Sequence, residues 1–202
     1  SPADTVQFKN KNVVVLILES FGKEYVGSLN KTLEGGHYKG YTPFLDSLIQ
    51  KSLYFDYSFA NGRTSIDGMP SSLSSIPMFV EKFLLTPAAL NSLTSVAGEL
   101  HKKGYYTAFF HGAANGSMGF QAFSRSAGYQ DYYGRTEYNN DEDFDGNWAI
   151  WDEEFLQFFA NKMATFKQPF CTGIFTASSH HPYNIPERYK DVYKESSLPI
   201  HK

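Results

Sequence analysis

The chain has 202 residues, of which 42% are hydrophobic and 19% are charged, and its formal net charge is −3. These values are typical of one globular domain with a buried core, and they exclude a wholly disordered chain. Because the 18 lysines and arginines are scattered along the sequence, the composition argues against a nucleic-acid partner.

The first predicted element is the apolar run 13–18, which is followed by Glu19 and Ser20. Such a run predicts a buried parallel strand, and open α/β sheets keep their sites at the carboxyl ends of their strands. An acidic residue at that point has a partner or binds a metal; the other interpretation is a carboxylate in water at the sheet edge.

A helix is predicted over residues 43–52, with Thr42 as its cap and Pro43 in its first turn. Its apolar face would consist of Phe44, Leu45, Leu48 and Ile49. The run 53–59 follows and predicts a second strand. Strands that alternate with helices in this way indicate βαβ units.

The turn 61–65, Asn-Gly-Arg-Thr-Ser, presents the Thr64 hydroxyl beside Arg63. A threonine becomes a nucleophile only with a base, a metal or a positive field. If residues 65–67 begin a helix, its first N–H groups and Arg63 would favour both an alkoxide and an incoming anion. From these residues alone, an ordinary helix N-cap is the alternative.

Further elements follow in order. A helix is predicted from Asn91 or Ser92 to Gly104, with Leu93, Val96, Ala97 and Leu100 inward, and then a strand over 105–110 that leads to His111. A long surface loop over 134–147 precedes a helix over 152–166 capped by Asp152. The last strand, 170–176, contains the only cysteine, Cys171, which we expect to be a buried structural thiol.

Two histidines, His180 and His181, follow the last predicted strand. Histidine there suits ligation of a metal or of a phosphate oxygen. Because adjacent residues rarely face one site, we expect one of the two to function and the other to pack. The predicted fold class is α/β, a mostly parallel sheet flanked by helices on both faces, with polar chemistry at four strand exits.

At these residues the sequence resembles the lipoteichoic acid synthase-like branch of the sulfatase and alkaline phosphatase superfamily. The resemblance covers nearly the whole chain and is carried by the segments NVVVLILES, TPFLDSL, NGRTS, FFHG, AGY, WAIWDEEF and SSHHPY. It implies a membrane-anchored parent protein with an extracytoplasmic catalytic domain, of which residues 1–202 are the N-terminal portion. It also implies a divalent cation, commonly Mn²⁺, with Mg²⁺, Ca²⁺ or Zn²⁺ as alternatives.

Residue by residue, the resemblance implies that Glu19 is a metal ligand and that Thr64 is the nucleophile and also touches the metal. It implies that His180 is the substrate-side histidine. Trp148 and Asp152 fall in a segment that contributes to the head-group pocket. Arg63 and His111 are expected to contact the substrate as well, and Trp151 and Tyr183 are further candidates for the pocket.

The chain departs from the family pattern at several points. Ala149 stands where the family has glycine, Ser179 stands where it has asparagine, and an arginine near the tryptophan has no counterpart. The family completes its metal site with a downstream Asp-His pair, and no Asp-His dipeptide occurs here. We expect that pair beyond Lys202, or else the chain is a degenerate member. Since hard cations require more than two ligands, the chain alone is predicted to be inactive.

The leading functional hypothesis is a metal-dependent transferase that moves a phosphoglycerol-type head group from an anionic phospholipid to an envelope glycan or lipid. The second is a phosphate or sulfate ester hydrolase, although no Cys or Ser has the context that sulfatases oxidise. The third is a non-catalytic module that binds an envelope ligand. A bacterial, extracytoplasmic location follows from the resemblance in each case.

Overall fold

A computed structural model describes residues 7–192. Within them, four parallel strands form one sheet in the order β1-β4-β2-β3. The strands are β1 (Val13–Ile17), β2 (Tyr106–His111), β3 (Asp131–Tyr133) and β4 (Phe170–Phe175). The α/β class predicted from the sequence is confirmed.

This part of the chain contains six α-helices. They are α1 (Pro43–Ile49), α2 (Ser65–Ser74), α3 (Val96–His101), α4 (Phe120–Ser126), α5 (Arg135–Tyr138) and α6 (Asp152–Met163). One core cluster joins α2, α3 and α4 to the sheet, and a second joins α6 to the opposite face. Alternate residues of β2 serve the two clusters, Phe109 the first and Phe110 the second.

The strands differ in burial according to their position in the sheet. Every residue of the inner strand β4 is buried, whereas β1, at the edge, alternates between half-buried and exposed residues. The apolar run 13–18 predicted a buried strand, but β1 is an edge strand in which Val14 is 44% and Leu16 57% exposed, so the prediction of its burial was wrong. The carboxyl ends of all four parallel strands lie at one edge of the sheet, which places Glu19 and His111 on the same side.

The strand predicted over 53–59 is wrong. These residues form no strand, and their side chains are exposed. Their aromatic and apolar composition favours a pleated surface, but no neighbouring strand in the described structure pairs with them. Conversely, the short strand β3 was not predicted, because three residues leave too little periodicity to detect.

The helix predictions were correct in place but not in their bounds. The first helix ends at Ile49 rather than at 52, and Phe44 and Leu48 on its predicted inner face are exposed. The helix predicted from Asn91 or Ser92 begins at Val96 after the cap Ser95, whose hydroxyl accepts from Gly98 N. Val96, expected inward, is exposed, whereas Ala97 is buried.

The remaining corrections concern α6 and the loop before it. The N-cap of α6 is Trp151 rather than Asp152, and the helix ends at Met163. The segment 134–147, predicted as a surface loop, contains α5 and a 3₁₀ turn over Asp141–Asp143. Cys171 is buried as expected, and burial raises the pKa of its thiol to about 11. In the described range, no helix combines the length and apolar character that crossing a membrane requires.

Candidate active site at the carboxyl edge of the sheet

The exits of β1 and β4 are joined by a hydrogen bond. Glu19, two residues after β1, donates its backbone N–H to Thr176 Oγ1 at 2.8 Å. A cleft of about 960 Å³ opens beside this junction, and we call it the main cleft. Its polar lining includes Glu19, Ser20, Arg63, Thr64, Ser65, His180, His181 and Tyr183.

Thr64 occupies the N-cap position of α2, as the turn predicted, but its side chain does not cap the helix. A capping hydroxyl accepts a hydrogen bond from a backbone N–H of the first turn. Here Thr64 Oγ1 instead donates to Asp67 Oδ2 at 2.8 Å. The interpretation of Thr64 as an ordinary N-cap therefore fails, and its hydroxyl lone pairs are left for other partners in the cleft.

Glu19 is held by two hydroxyl groups. Ser65 Oγ donates to Glu19 Oε2 at 2.6 Å, and Ser20 Oγ donates to Glu19 Oε1 at 3.0 Å. Hydrogen bonds to a carboxylate are strong and fix its orientation. Sequence reasoning missed Ser65, because both Thr64 and Ser65 start the same helix and only their φ/ψ angles decide which hydroxyl reaches β1.

His111, the last residue of β2, is only 2% exposed. Its Nδ1 lies 2.9 Å from the carbonyl oxygen of Phe175. Because a carbonyl can only accept, Nδ1 carries the proton, and Nε2 is buried with no hydrogen-bond partner in the described structure. His111 also lines a small cavity of about 30 Å³, which we call the inner cavity.

The burial of His111 predicts a pH dependence of stability. Burial lowers the pKa of His111 from 6.5, so below pH 6.5 the unfolded chain binds a proton that the folded chain excludes. The free energy of unfolding is therefore expected to fall with decreasing pH, by at most about 1.4 kcal/mol per pH unit. Urea denaturation at pH 5 to 8 measures this.

The histidine variants identify the source of that slope. His111→Gln should flatten the slope, whereas His37→Gln, at an exposed histidine, should leave it as it is. An unchanged slope in His111→Gln would contradict the assignment to His111.

Trp148 and His180 meet above the inner cavity, and both line it together with Glu19 and Ser65. Their ring centroids are 4.4 Å apart, and Trp148 Nε1 donates to the carbonyl oxygen of His181 at 2.7 Å. The indole thereby holds the segment that contains His180 and His181, while 49% of the surface of Trp148 is exposed. Such an aromatic face is available to a ligand.

The loop that carries Trp148 is held by one carboxylate. Asp145 Oδ1 accepts hydrogen bonds from the backbone N–H groups of Asn147, Trp148 and Ala149, at 2.8, 2.7 and 3.2 Å. Because a single oxygen orients three consecutive amides, the indole leaves the chain in a defined direction. Ala149, where the family pattern has glycine, is fully buried, so the methyl group is accommodated.

Asp152 lies away from both cavities. Its carboxylate accepts hydrogen bonds from the backbone N–H groups of Ala177 at 2.8 Å and Ser178 at 2.9 Å, and its own N–H donates to Ser178 Oγ at 2.8 Å. Burial raises the pKa of Asp152, and the hydrogen bonds from Ala177 and Ser178 oppose that rise. Asp152 therefore ties the start of α6 to the loop that carries His180.

Removing this tie should destabilise the protein. We expect Asp152→Ala to lower the free energy of unfolding by about 2–4 kcal/mol, because the part-buried backbone N–H groups of Ala177 and Ser178 lose a charged acceptor. Glu153→Ala is the matched control: its carboxylate is an exposed partner of Arg188 at 2.7 Å, so its loss should cost far less. Equal costs in urea denaturation would contradict the role given to Asp152.

The structure thus brings together most of the predicted site residues. Glu19, Arg63, Thr64 and His180 line the main cleft, and His111 and Trp148 line the inner cavity. It does not bring Asp152 or Trp151 to either cavity. His181 lines the main cleft beside His180 rather than packing, which corrects the expectation that only one of the two would face the site.

A divalent cation was expected at Glu19 and Thr64. Among residues 7–192, no group of three or more His, Cys, Asp or Glu side chains could hold a metal ion. Both oxygens of Glu19 accept hydrogen bonds from serines, and the Thr64 hydroxyl is bonded to Asp67. The described residues therefore do not complete a metal site by themselves.

Comparison with known proteins supports the predicted resemblance. The lipoteichoic acid synthase-like protein YvgJ of Bacillus subtilis is 26% identical over 183 residues, covering 89% of this chain and 28% of YvgJ. Lipoteichoic acid synthase 2 of the same organism is 27% identical over 184 residues, again covering 89% of this chain and 27% of the relative. The chain thus spans less than a third of the length of these relatives.

Solved structures share the fold. A protein of the alkaline phosphatase superfamily from Vibrio parahaemolyticus has a TM-score of 0.79 at 26% identity, covering 95% of this chain and 46% of that one. The lipoteichoic acid synthase LtaP of Listeria monocytogenes has a TM-score of 0.75 at 24% identity, covering 90% and 44%. The periplasmic domain of Escherichia coli EptC, a zinc complex, has a TM-score of 0.63 at 16% identity, covering 94% and 51%.

The family follows from a match that covers almost the whole sequence. The sulfatase family model matches residues 11–202, a range that includes β1, the Thr64 turn and the histidine segment after β4. Together with the parallel sheet and the relatives named lipoteichoic acid synthase, this match shows that the chain belongs to the sulfatase family.

Proposed function

We propose that the full natural protein transfers a phosphoglycerol-type head group from an anionic phospholipid to an envelope glycan or lipid, through an intermediate in which Thr64 is esterified. The observation that carries the proposal is the main cleft. It brings together, at the carboxyl edge of a parallel sheet, the hydroxyl of Thr64, which does not cap its helix, and the side chains of Arg63, Glu19 and His180. This set of residues suits attack on an anionic phosphate diester.

The start of α2 supplies a positive environment for the phosphate. Thr64 is the N-cap of this ten-residue helix, and the positive end of the helix dipole favours an anion there. Arg63 is exposed, lines the same cleft and adds a full positive charge. A phosphate bound here would lie beside the Thr64 hydroxyl, which is the geometry that nucleophilic attack requires.

The inner cavity provides a place for one hydroxyl group of the head group. Its volume of about 30 Å³ admits a group of roughly the size of a water molecule or a hydroxyl. His111 Nε2 is an unpartnered acceptor there, and it would accept a hydrogen bond from an alcohol of the head group. His180 and the exposed face of Trp148 would form the outer wall of this subsite.

Divalent metal dependence belongs to the proposal for the full protein. Glu19 is the residue of the described structure best placed to bind a cation, which would be Mn²⁺ or alternatively Mg²⁺, Ca²⁺ or Zn²⁺. Because two ligands hold a hard cation poorly, we expect residues 1–202 alone to be inactive. The whole protein would act at the extracytoplasmic face of the bacterial membrane, anchored there as the resemblance implies.

The proposal is tested with the full natural protein, Mn²⁺ and vesicles that contain fluorescent phosphatidylglycerol. The expected result is release of fluorescent diacylglycerol, which a chelator abolishes and added Mn²⁺ restores. Mass spectrometry of the protein, quenched during turnover, should find phosphoglycerol on the peptide that contains Thr64.

Two other results would replace the proposal. The relatives and the family also fit a hydrolase, and release of inorganic phosphate or sulfate from simple esters without diacylglycerol release would favour that activity. Inactivity on every ester, with retained binding of envelope glycan or lipid, would favour a non-catalytic binding module.

A further inference from the structure

Asp67 is a buried acidic residue next to the Thr64 turn. It lies in the first turn of α2 and is 4% exposed. In the part of the chain that the structure describes, it is the only buried acidic residue, and it forms no ion pair there. Buried carboxyl groups are costly unless they are paired, so this position calls for a specific partner.

The partner of Asp67 is the Thr64 hydroxyl. Thr64 Oγ1 donates to Asp67 Oδ2 at 2.8 Å, and the backbone N–H of Asp67 donates to the carbonyl oxygen of Thr64 at 3.0 Å. The second carboxyl oxygen, Oδ1, is buried without a hydrogen-bond partner among the described residues.

The turn before Thr64 closes against Asp67. Gly62 has a φ of +90°, and a Cβ at this position would lie 2.4 Å from Asp67 Cβ. Glycine is thus required both for the left-handed backbone and for the space beside Asp67. The carboxyl group is enclosed between Gly62 and Thr64, so it has little freedom to release the threonine.

We propose that Asp67 is a positioning residue for Thr64: by accepting the hydroxyl hydrogen it fixes the side-chain rotamer and directs the lone pairs of Oγ1 into the main cleft. This inference rests on the proposed role of Thr64 as nucleophile. An unfixed threonine hydroxyl rotates among staggered positions, and only some of these point the lone pairs at a phosphorus atom. Restricting the rotamer therefore raises the fraction of productive encounters.

Two substitutions of similar volume separate positioning from packing. Asp67→Asn keeps an oxygen that accepts from Thr64, whereas Asp67→Leu fills the space without an acceptor. In the full natural protein with Mn²⁺ and phosphatidylglycerol, we expect Asp67→Leu to lower kcat about 10- to 100-fold, with KM within about twofold. Asp67→Asn should stay within about fivefold of the wild-type kcat, since the hydrogen bond is retained.

Ser74→Ala is the control on the same helix. Ser74 lies at the far end of α2 and has a buried hydroxyl without a partner in the described structure, so this variant should keep wild-type kcat. If Asp67→Leu does not fold, as judged by near-UV circular dichroism, Asp67→Ala takes its place with the same expectation. Equal kcat values for the Asn variant and the variant without an acceptor would overturn the inference.

A second measurement does not depend on activity. Three-bond couplings to the Thr64 methyl group, assigned through Thr64→Ser, should report one χ1 rotamer in the wild type and in Asp67→Asn, and averaging in the variant without an acceptor. A single rotamer in all of them would overturn the inference. If the wild type releases no diacylglycerol, the proposed function fails, and the couplings still decide whether Asp67 orients Thr64.

Discussion

Replacing Thr64 with alanine is expected to lower diacylglycerol release about 10⁴-fold or more, the scale on which enzymes lose rate when their nucleophile is removed. The physical reason is that no other group in the main cleft has the same placement. The Thr64 hydroxyl stands at the start of α2 beside Arg63, and its proton is directed at Asp67 rather than at the cleft. The rate of release by the full natural protein with Mn²⁺ measures the effect.

Ser65→Ala is the matched control for this prediction, because it removes the next hydroxyl along the chain. Ser65 Oγ is bonded to Glu19 Oε2 at 2.6 Å, so its loss should loosen the carboxylate and lower the rate by only about tenfold. The reverse order, with Ser65→Ala the more damaging change and Thr64→Ala active, would assign the nucleophile to Ser65.

The sequence predicted the members of this site better than their contacts. Glu19 could be singled out because a six-residue apolar run that ends in an acid is a local pattern. Which hydroxyl reaches it could not, since Thr64 and Ser65 are neighbours and the start of α2 alone decides between them. Asp67 stands three residues after Thr64, the spacing of a reciprocal helix cap, and this spacing was the available indication of their contact.

The depth of a residue is harder to infer than its position along a strand. His111 was placed correctly at a strand exit, but its burial comes from Phe120 of α4, whose ring centroid lies 5.0 Å away. Asp152 was assigned to the head-group pocket through the resemblance, whereas its hydrogen-bond partners, Ala177 and Ser178, are 25 and 26 residues further along the chain. Contacts between residues so far apart in the sequence depend on the tertiary fold.

The dependence on tertiary contacts also explains why the strand prediction over 53–59 was wrong. The segments 53–59 and 105–110 are both rich in aromatic residues, and propensity alone gives them the same prediction. Only the second obtains neighbours in the sheet, β4 on one side and β3 on the other. Phe110 consequently has no exposed surface, whereas Phe55 is 72% exposed.

This contrast yields a large expected difference in stability. Phe110→Ala should lower the free energy of unfolding by about 3–5 kcal/mol, the usual cost of removing a buried phenylalanine. The ring stacks on Tyr133 at a centroid distance of 4.5 Å and meets Phe159 edge-on at 4.7 Å. The first contact joins β2 to β3 and the second joins β2 to α6, so the cavity would open between these three elements. Urea denaturation of the protein measures the loss.

Phe55→Ala is the matched control, because it deletes the same atoms from an exposed position. We expect a change within about 0.5 kcal/mol, as for surface substitutions in general. A cost comparable to that of Phe110→Ala would mean that 53–59 packs against the protein in solution, and that its strand-like composition serves a contact in the folded state. A small cost in Phe110→Ala would instead contradict the second core cluster, since no other side chain of β2 contacts as many of its rings.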